Sequence, residues 1–265
     1  MTVDLSAVRS LLFLPASNPR AITKARGLAA DLVVLDLEDA VKPELKDDAR
    51  AAAIEAVAEA WPILVAIRVN SVGSPWHDAD LAAVTASRAD LAVLPRTASA
   101  EQARAVAGKP GKPLLAMVET AAGVLAAPAI AREVKGLIAG TNDLAADLRL
   151  PPEAGREPLQ TALQSILLAA RAAGIAAFDG VYNRLDDPDG FAAECASTRR
   201  LGFDGKSLIH PDQIAPCHAA FAASPDELEQ ARRLVDAATG GAERFEGRMI
   251  ERMHVDAARR LIARA

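Results

Sequence analysis

At 265 residues the chain is longer than most single domains and matches the roughly 250 residues in which an α/β barrel closes on itself. Hydrophobic residues make up 51% but aromatics only 3%, so the core must be filled by Ala, Leu, Val and Ile, as in parallel-sheet proteins. The net charge of −5, with Lys and Arg scattered along the chain, excludes a nucleic-acid-binding stripe, and no apolar run approaches the ~18 residues of a membrane span. The N-terminal MTVDLSAVRS lacks a basic segment followed by an apolar one, and Cys195 and Cys217 lack CxxC spacing, which together predict a soluble, cytoplasmic protein in a reducing compartment.

Short apolar runs bounded by Gly, Pro and Asp alternate with segments of helical period. The predicted strands are 9–15 (RSLLFLP), 31–37 (DLVVLDL), 63–69 (ILVAIRV), 90–95 (DLAVLP), 113–118 (PLLAMV), 135–139 (KGLIA), 176–181 (AAFDGV) and 205–209 (GKSLI). Most are continuously apolar, as parallel strands covered on both faces are. Residues 43–60, 77–87, 100–107, 120–133, 158–173 and 188–201 carry apolar positions three and four apart and start near Asp, Ser or Pro, which predicts crossover helices. Eight alternations predict a (β/α)8 TIM barrel. Beyond them come helical segments at 211–222 and 225–238, the polar stretch TGGAERFEG, and a last predicted helix over 248–264. The expected division is a barrel domain, 1–238, and a C-terminal helical extension, 239–265.

Polar residues fall at the C-terminal ends of the strands: Asp36 and Glu38, Arg68 and Asn70, Arg96, Glu119, Asn142 and Asp143, Asp179, and His210. Active sites of such barrels are built on that rim. Any one of these residues could be a helix cap, but a ring of carboxylates and arginines from most of the strands is harder to explain as capping. Glu119 and Asp143 are the metal-ligand candidates, because Mg²⁺ takes oxygen ligands and often needs only one or two carboxylates; the alternative for Asp143 is an N-cap of the short DLAADL turn. Arg68 could fork onto a carboxylate in the barrel mouth, or form a buried ion pair with Asp36 or Glu38. In LDLEDAV, Asp36 and Glu38 share a strand face and Asp39 begins the turn, so at most two of the three should face the mouth. GKS at 205–207 lacks the earlier glycine of a phosphate loop, DDPDG at 186–190 lacks the outer ligands of a calcium loop, and there is no GxGxxG, HExxH or GxSxG.

Taken in order, RSLLFLPASNPR, DLVVLDLEDAV, IRVN, VET, GTNDLAADL and GFDGKSLIHPDQI resemble the signature blocks of the citrate lyase β-subunit-like family of the HpcH/HpaI aldolase/citrate lyase superfamily, related to malyl-CoA lyases. The longest block, at 202–214, is the most specific. The resemblance implies a barrel enzyme that uses Mg²⁺ and makes or breaks a carbon–carbon bond in a coenzyme A thioester of a small hydroxy acid, with a keto acid as the other reactant, in a homotrimer or hexamer. By position, Glu119 and Asp143 resemble the metal carboxylates and Arg68 the arginine that stabilises the thioester enolate. Arg9 resembles the substrate-binding arginine, with Glu38 also expected at the substrate. Asp36 matches the acid of the second strand, and Arg20 and Lys24 the basic residues near the CoA phosphates. The family's tail block M-I-D-x-P, whose aspartate serves a neighbouring subunit, appears here as Met249-Ile250-Glu251-Arg252-Met253. Glu251 from another chain is therefore the candidate base, with Asp36 as the alternative. Hydrolysis of the thioester, a synthase reaction, or a non-catalytic CoA-binding subunit are the rival readings.

Overall fold

The eight apolar runs become eight strands: β1 (Ser10–Pro15), β2 (Leu32–Asp36), β3 (Leu64–Arg68), β4 (Leu91–Leu94), β5 (Leu114–Val118), β6 (Gly136–Ala139), β7 (Ala176–Asp179) and β8 (Gly205–Leu208). They are the skeleton of a computed structural model that describes residues 3–108 and 111–263. All pair in parallel, and β8 returns to β1, closing the barrel. Between them lie α1 (Pro19–Ala25), α2 (Lys46–Ala58), α3 (His77–Ala86), α4 (Ala100–Ala107), α5 (Ala121–Ile130), α6 (Thr141–Asp147), α7 (Gln160–Ala173) and α8 (Pro188–Leu201), with α9 (Ile214–Phe221) after β8. This is the (β/α)8 TIM barrel expected. Helices start where a side chain satisfies a free backbone N–H: Asn18, Ser99, Thr120 and Asp187 each accept one. The short helices α1 and α6 were not among the predicted crossovers, since two turns hold too few apolar positions to show a period.

Strand parity positions the site. Leu11, Leu32, Val34, Ala66, Leu91, Val93, Leu115, Met117, Ile138 and Phe178 form the barrel interior. Side chains alternate along a strand, so the next inward position after Val34 is Asp36, after Ala66 is Arg68, and after Met117 is Glu119. Hydrophobic layers fill the barrel up to its C-terminal mouth, where the same face turns polar.

The chain divides into two compact units, Met1–Ala220 and Phe221–Ala265. The second holds α10 (Pro225–Ala237), which opens with a Ser224/Glu227 capping box, then β9 (Glu243–Phe245), β10 (Arg248–Ile250) and α11 (Arg252–Ala263). The division drawn at 238/239 falls inside this unit, because α10 packs on α11. A correction also concerns the tail helix, which starts at Arg252 and not at 248. Residues 243–250 form an antiparallel hairpin whose two loop residues, Glu246 (φ 45°) and Gly247 (φ 82°), both adopt the left-handed conformation that tight hairpin turns require. The preceding Gly-rich stretch is tied down, with Glu243 Oε1 accepting the N–H groups of Thr239, Gly240 and Gly241. Among the described residues no helix is long and apolar enough to cross a membrane.

Candidate active site

The barrel mouth encloses a cavity of about 410 Å³ whose wall includes Asp36, Asp39, Arg68, Met117, Glu119 and Asp143. Arg68 lies at its centre of charge. Its Nε and Nη2 donate to the two oxygens of Asp36 at 2.6 and 2.7 Å, and its Nη1 lies 3.0 Å from Glu38 Oε2. Burial pulls the guanidinium's pKa down, but Asp36 and Glu38 outweigh this and the net shift is upward, so Arg68 is a permanent cation facing the cavity.

Asp36 also accepts the backbone N–H groups of Glu38 and Ala40. Two carboxylate oxygens offer about four acceptor positions, and all four are taken. This geometry makes Asp36 the group that orients Arg68 and leaves no free acceptor position for the alternative role of base expected of it. Glu38, expected at the substrate, lies just behind the cavity wall, where it flanks Arg68. Burial raises the Glu38 carboxyl to about 8 against the pull of Arg68. The loop carrying these acids is fastened by buried Lys46 of α2, whose ammonium donates to the carbonyls of Leu37 and Glu38 and to Asn70.

Glu119 is 2% exposed, and burial raises it to about 7, opposed by a backbone hydrogen bond from Arg96 and reinforced by the charge of Asp143. Among the described residues its hydrogen-bond donor is the Arg96 backbone N–H and not a side-chain cation. Gly140 makes room: a Cβ there would lie 2.2 Å from Glu119 Oε2. Asp143 sits in the first turn of α6, whose N-cap is Gly140, so Asp143 is not the cap. Its carboxylate, 34% exposed, meets the guanidinium of Arg96 at 3.0 Å. Among the described residues no three His, Cys, Asp or Glu side chains gather into a metal cage. Two carboxylates, one of them buried and short of positive charge, are what a Mg²⁺ site completed by water and substrate oxygens requires, so the residues present fit such an ion.

The remaining candidates lie elsewhere. Arg9 precedes the first residue of β1, at the opposite rim, where it forms a forked pair with Asp31 (3.2 Å at each contact) beside His218. Its assignment to substrate is corrected: the block RSLLFLP spans the whole strand, so its first and last residues lie at opposite barrel ends. Arg20 and Lys24 are exposed on α1, just beyond the mouth end of β1. Glu251 belongs to the second unit, between β10 and α11, where His254 Nδ1 accepts its backbone N–H at 3.0 Å. His210 caps the turn before Pro211, as its position suggested.

Sequence reasoning gave no role to several cavity residues. Asn142 and Asn183 pair through their side-chain amides at 2.7 and 3.3 Å. Ser207 is 2% exposed, lines the cavity and has no hydrogen-bond partner for its hydroxyl. Strand parity was the available signal, since Phe178 and Ser207 point inward while Asp179 and Lys206 point outward. There Lys206 Nζ donates to Asp179 (3.0 Å), Glu194 (2.6 Å) and the Gly180 carbonyl (2.6 Å), and Arg156 reaches the same two acids.

A closed parallel barrel with an arginine and two carboxylates at its mouth defines a barrel enzyme with an acidic, cation-accepting site. Residues 9–211 match the HpcH/HpaI aldolase/citrate lyase family, and the chain belongs to it. It is 42% identical over 270 residues, 97% of this chain and 94% of the relative, to a (3S)-malyl-CoA thioesterase of Cereibacter sphaeroides. It is 36% identical over 280 residues, 97% of this chain and 93% of the relative, to citrate lyase subunit beta of Escherichia coli. A crystal structure of protein CitE from Mycobacterium tuberculosis in complex with magnesium, acetoacetate and coenzyme A matches with a TM-score of 0.87 at 33% identity, covering 97% of both chains.

Proposed function

We propose that this chain is a Mg²⁺-dependent enzyme that hydrolyses the CoA thioester of a small hydroxy acid, of the (3S)-malyl-CoA kind. The observation that carries the reading is the pair Glu119 and Asp143 beside Arg68 in one cavity; the 42% identity over nearly the whole chain to a (3S)-malyl-CoA thioesterase supports hydrolysis as the step. Glu119 and Asp143 would hold the ion, which when bound supplies Lewis-acid polarisation and a template for the acid's oxygens. Arg68, fixed by Asp36, presents its remaining N–H groups to negative charge growing on the thioester oxygen. Glu251, from a neighbouring copy in a homotrimer or hexamer, takes a proton from the water whose oxygen bonds to the thioester carbon and returns it to the CoA sulfur as the C–S bond breaks, so that the products are the free acid and the thiol. Arg20 and Lys24 hold the CoA phosphates.

A second reading keeps the site and changes the bond broken: carbon–carbon cleavage, in which Arg68 balances an enolate of the thioester. The relative named citrate lyase subunit beta favours it. One assay separates the readings. Incubation with (3S)-malyl-CoA and Mg²⁺, followed by mass spectrometry, yields malate and free CoA by hydrolysis, but acetyl-CoA and glyoxylate by cleavage. Tight CoA binding with neither product would overturn both and leave a binding subunit. The assignment of Glu251 is tested by mixing Glu251→Gln protomers with Arg68→Ala protomers: action in trans restores activity, and no recovery despite subunit exchange removes it.

A further inference from the structure

Arg96 touches both carboxylates of the mouth with different ends of one residue. Its backbone N–H donates to Glu119 Oε1, and its Nη1 donates to Asp143 Oδ1 at 3.0 Å. It is also a non-glycine residue at φ 47°, in the left-handed region where side chains other than Gly, Asn and Asp are uncommon. A backbone turn that aims the amide at Glu119 while returning the side chain to Asp143 accounts for the conformation: the residue follows β4, Glu119 follows β5 and Asp143 lies beyond β6, so a single chain position spans three strand ends. The two contacts differ in kind. The amide is part of the barrel wall and stays with Glu119 whatever occupies the mouth. The guanidinium is 49% exposed, on a long flexible side chain, and rests on an acid that is itself 34% exposed.

From this we infer that Arg96 is a positioning residue and a displaceable counter-charge of the metal site: its amide fixes Glu119 permanently, and its guanidinium occupies Asp143 until a divalent cation takes its place. The inference rests on the assignment of Glu119 and Asp143 as the metal pair. Without such a cation the mouth would hold two neighbouring carboxylates with no positive group on Asp143, which repulsion would spread apart. With it, Asp143 is held near the geometry it needs. Metal entry becomes an exchange of one positive group for another, so its affinity is set partly by how strongly the guanidinium competes. Release of that guanidinium on metal binding also frees a cation at the rim.

Titration of metal-free protein with MgCl₂ alone, followed by calorimetry, tests this without reference to turnover. Arg96→Ala keeps the amide bond to Glu119 and the same left-handed strain but removes the competitor, so Mg²⁺ should bind at least about fivefold tighter than to wild type, while Arg96→Lys, which keeps a cation of similar reach, should stay near the wild-type Kd. Arg96→Gly, which relieves the backbone strain, should follow Arg96→Ala and serves if the alanine variant folds poorly. Affinity unchanged or weakened in both Arg96→Ala and Arg96→Gly would overturn the exchange. If wild type and all variants bind no Mg²⁺, the metal pair itself falls and the inference with it.

Discussion

Asp179 and Glu119 are equally buried, at 0% and 2% exposure, yet their carboxyls move in opposite directions. Burial alone would raise both. Around Asp179 the ammonium of Lys206 and the guanidinium of Arg156 outweigh burial and hold the carboxyl below the usual aspartate range. Around Glu119 the opposing influences are a neutral backbone amide of Arg96 and the charge of Arg68, and burial prevails over both, so the carboxyl rises to about 7. The two acids stand on opposite faces of the same barrel wall. The outward cluster at β7 and β8 has its charges matched by the chain and serves the fold. The inward one is under-compensated, since Arg68 is engaged by Asp36 and Glu38 and Arg96 rests on Asp143, and an under-compensated carboxylate in a cavity marks a candidate group for binding what the chain does not itself supply.

Removing the compensation breaks the comparison most severely. Lys206→Met would leave Asp179 and Glu194 facing each other, with Arg156 alone to share, inside a wall that excludes water. Loss of one partner from a buried charge set costs about 3–5 kcal/mol, so urea unfolding should show the unfolding free energy falling by an amount of that order. A loss below about 1 kcal/mol would mean that Arg156 suffices and that the two regions differ less than their pKa shifts imply.

The reverse is expected at the mouth. Glu119→Gln removes a carboxylate that the metal-free fold holds at a cost, so metal-free stability at pH 8 should be unchanged or increased, while Mg²⁺-dependent turnover falls by at least the roughly 100-fold that loss of a mere supporting residue can cause at metal sites. The pH dependence follows with definite sign. Between the ordinary 4.5 and about 7, the folded chain keeps a proton on Glu119 that the unfolded chain has released. Stability of the metal-free protein therefore falls as pH rises through that window, and Glu38 extends the fall to about 8. Asp179 contributes oppositely: its stabilisation is complete above the ordinary 3.8 and is lost only as pH drops below that value through its depressed folded pKa. Thermal melts from pH 3 to pH 9, with and without Mg²⁺, separate the two. Saturating Mg²⁺ should flatten the upper limb and leave the acid limb unchanged.

A milder perturbation acts through shape. Gly140→Ala places a methyl against both the carboxylate and the Cβ of Glu119; the Cβ cannot rotate away, so the end of β5 or the N-cap of α6 must shift as well as the carboxylate. We expect Mg²⁺ affinity to weaken by about 10-fold, the scale of a displaced ligand support, with stability falling by about 1–3 kcal/mol from the overpacking. Equal affinity would show that Glu119 can retreat without losing the ion.

Much of this was legible in the chain because strand parity and barrel closure are short-period consequences of sequence. Continuous apolar runs announced β1 to β8, and the polar residue two places past an interior Val, Ala or Met announced Asp36, Arg68 and Glu119. Which lone pairs are already occupied cannot be read this way: nothing in the order of residues shows that the Asp36 carboxylate accepts four hydrogen bonds, two of them from Arg68. Arg9 shares a sequence block with the mouth end of β1, but the block is a strand's length long, which puts Arg9 at the opposite rim. The hairpin at 243–250 was hidden by its brevity, since three-residue strands carry no measurable alternation. Arg96 stood among the strand-end residues, but its double contact depends on a left-handed backbone that a bulky residue rarely adopts and no pattern announced.

The smallest effect concerns charge that is neither buried nor compensated. Arg20 and Lys24 stand four residues apart on one face of α1, both exposed, and like charges at that spacing repel by a few tenths of a kcal/mol on a helix. Such a pair does nothing for the fold, so the double variant Arg20→Ala/Lys24→Ala should unfold at the same temperature or slightly higher. If the pair receives the CoA phosphates, each contact is worth what an exposed ion pair is worth, about 0.2–1 kcal/mol, and KM for the CoA thioester should rise by roughly 1.4- to fivefold per residue with kcat unchanged. Because exposed charges are screened over about 10 Å at 0.1 M salt and about 3 Å at 1 M, high salt should raise the wild-type KM toward that of the double variant and leave the variant's own KM nearly constant. A variant whose KM equals that of wild type at low salt would remove Arg20 and Lys24 from the site and leave them as an exposed helix face.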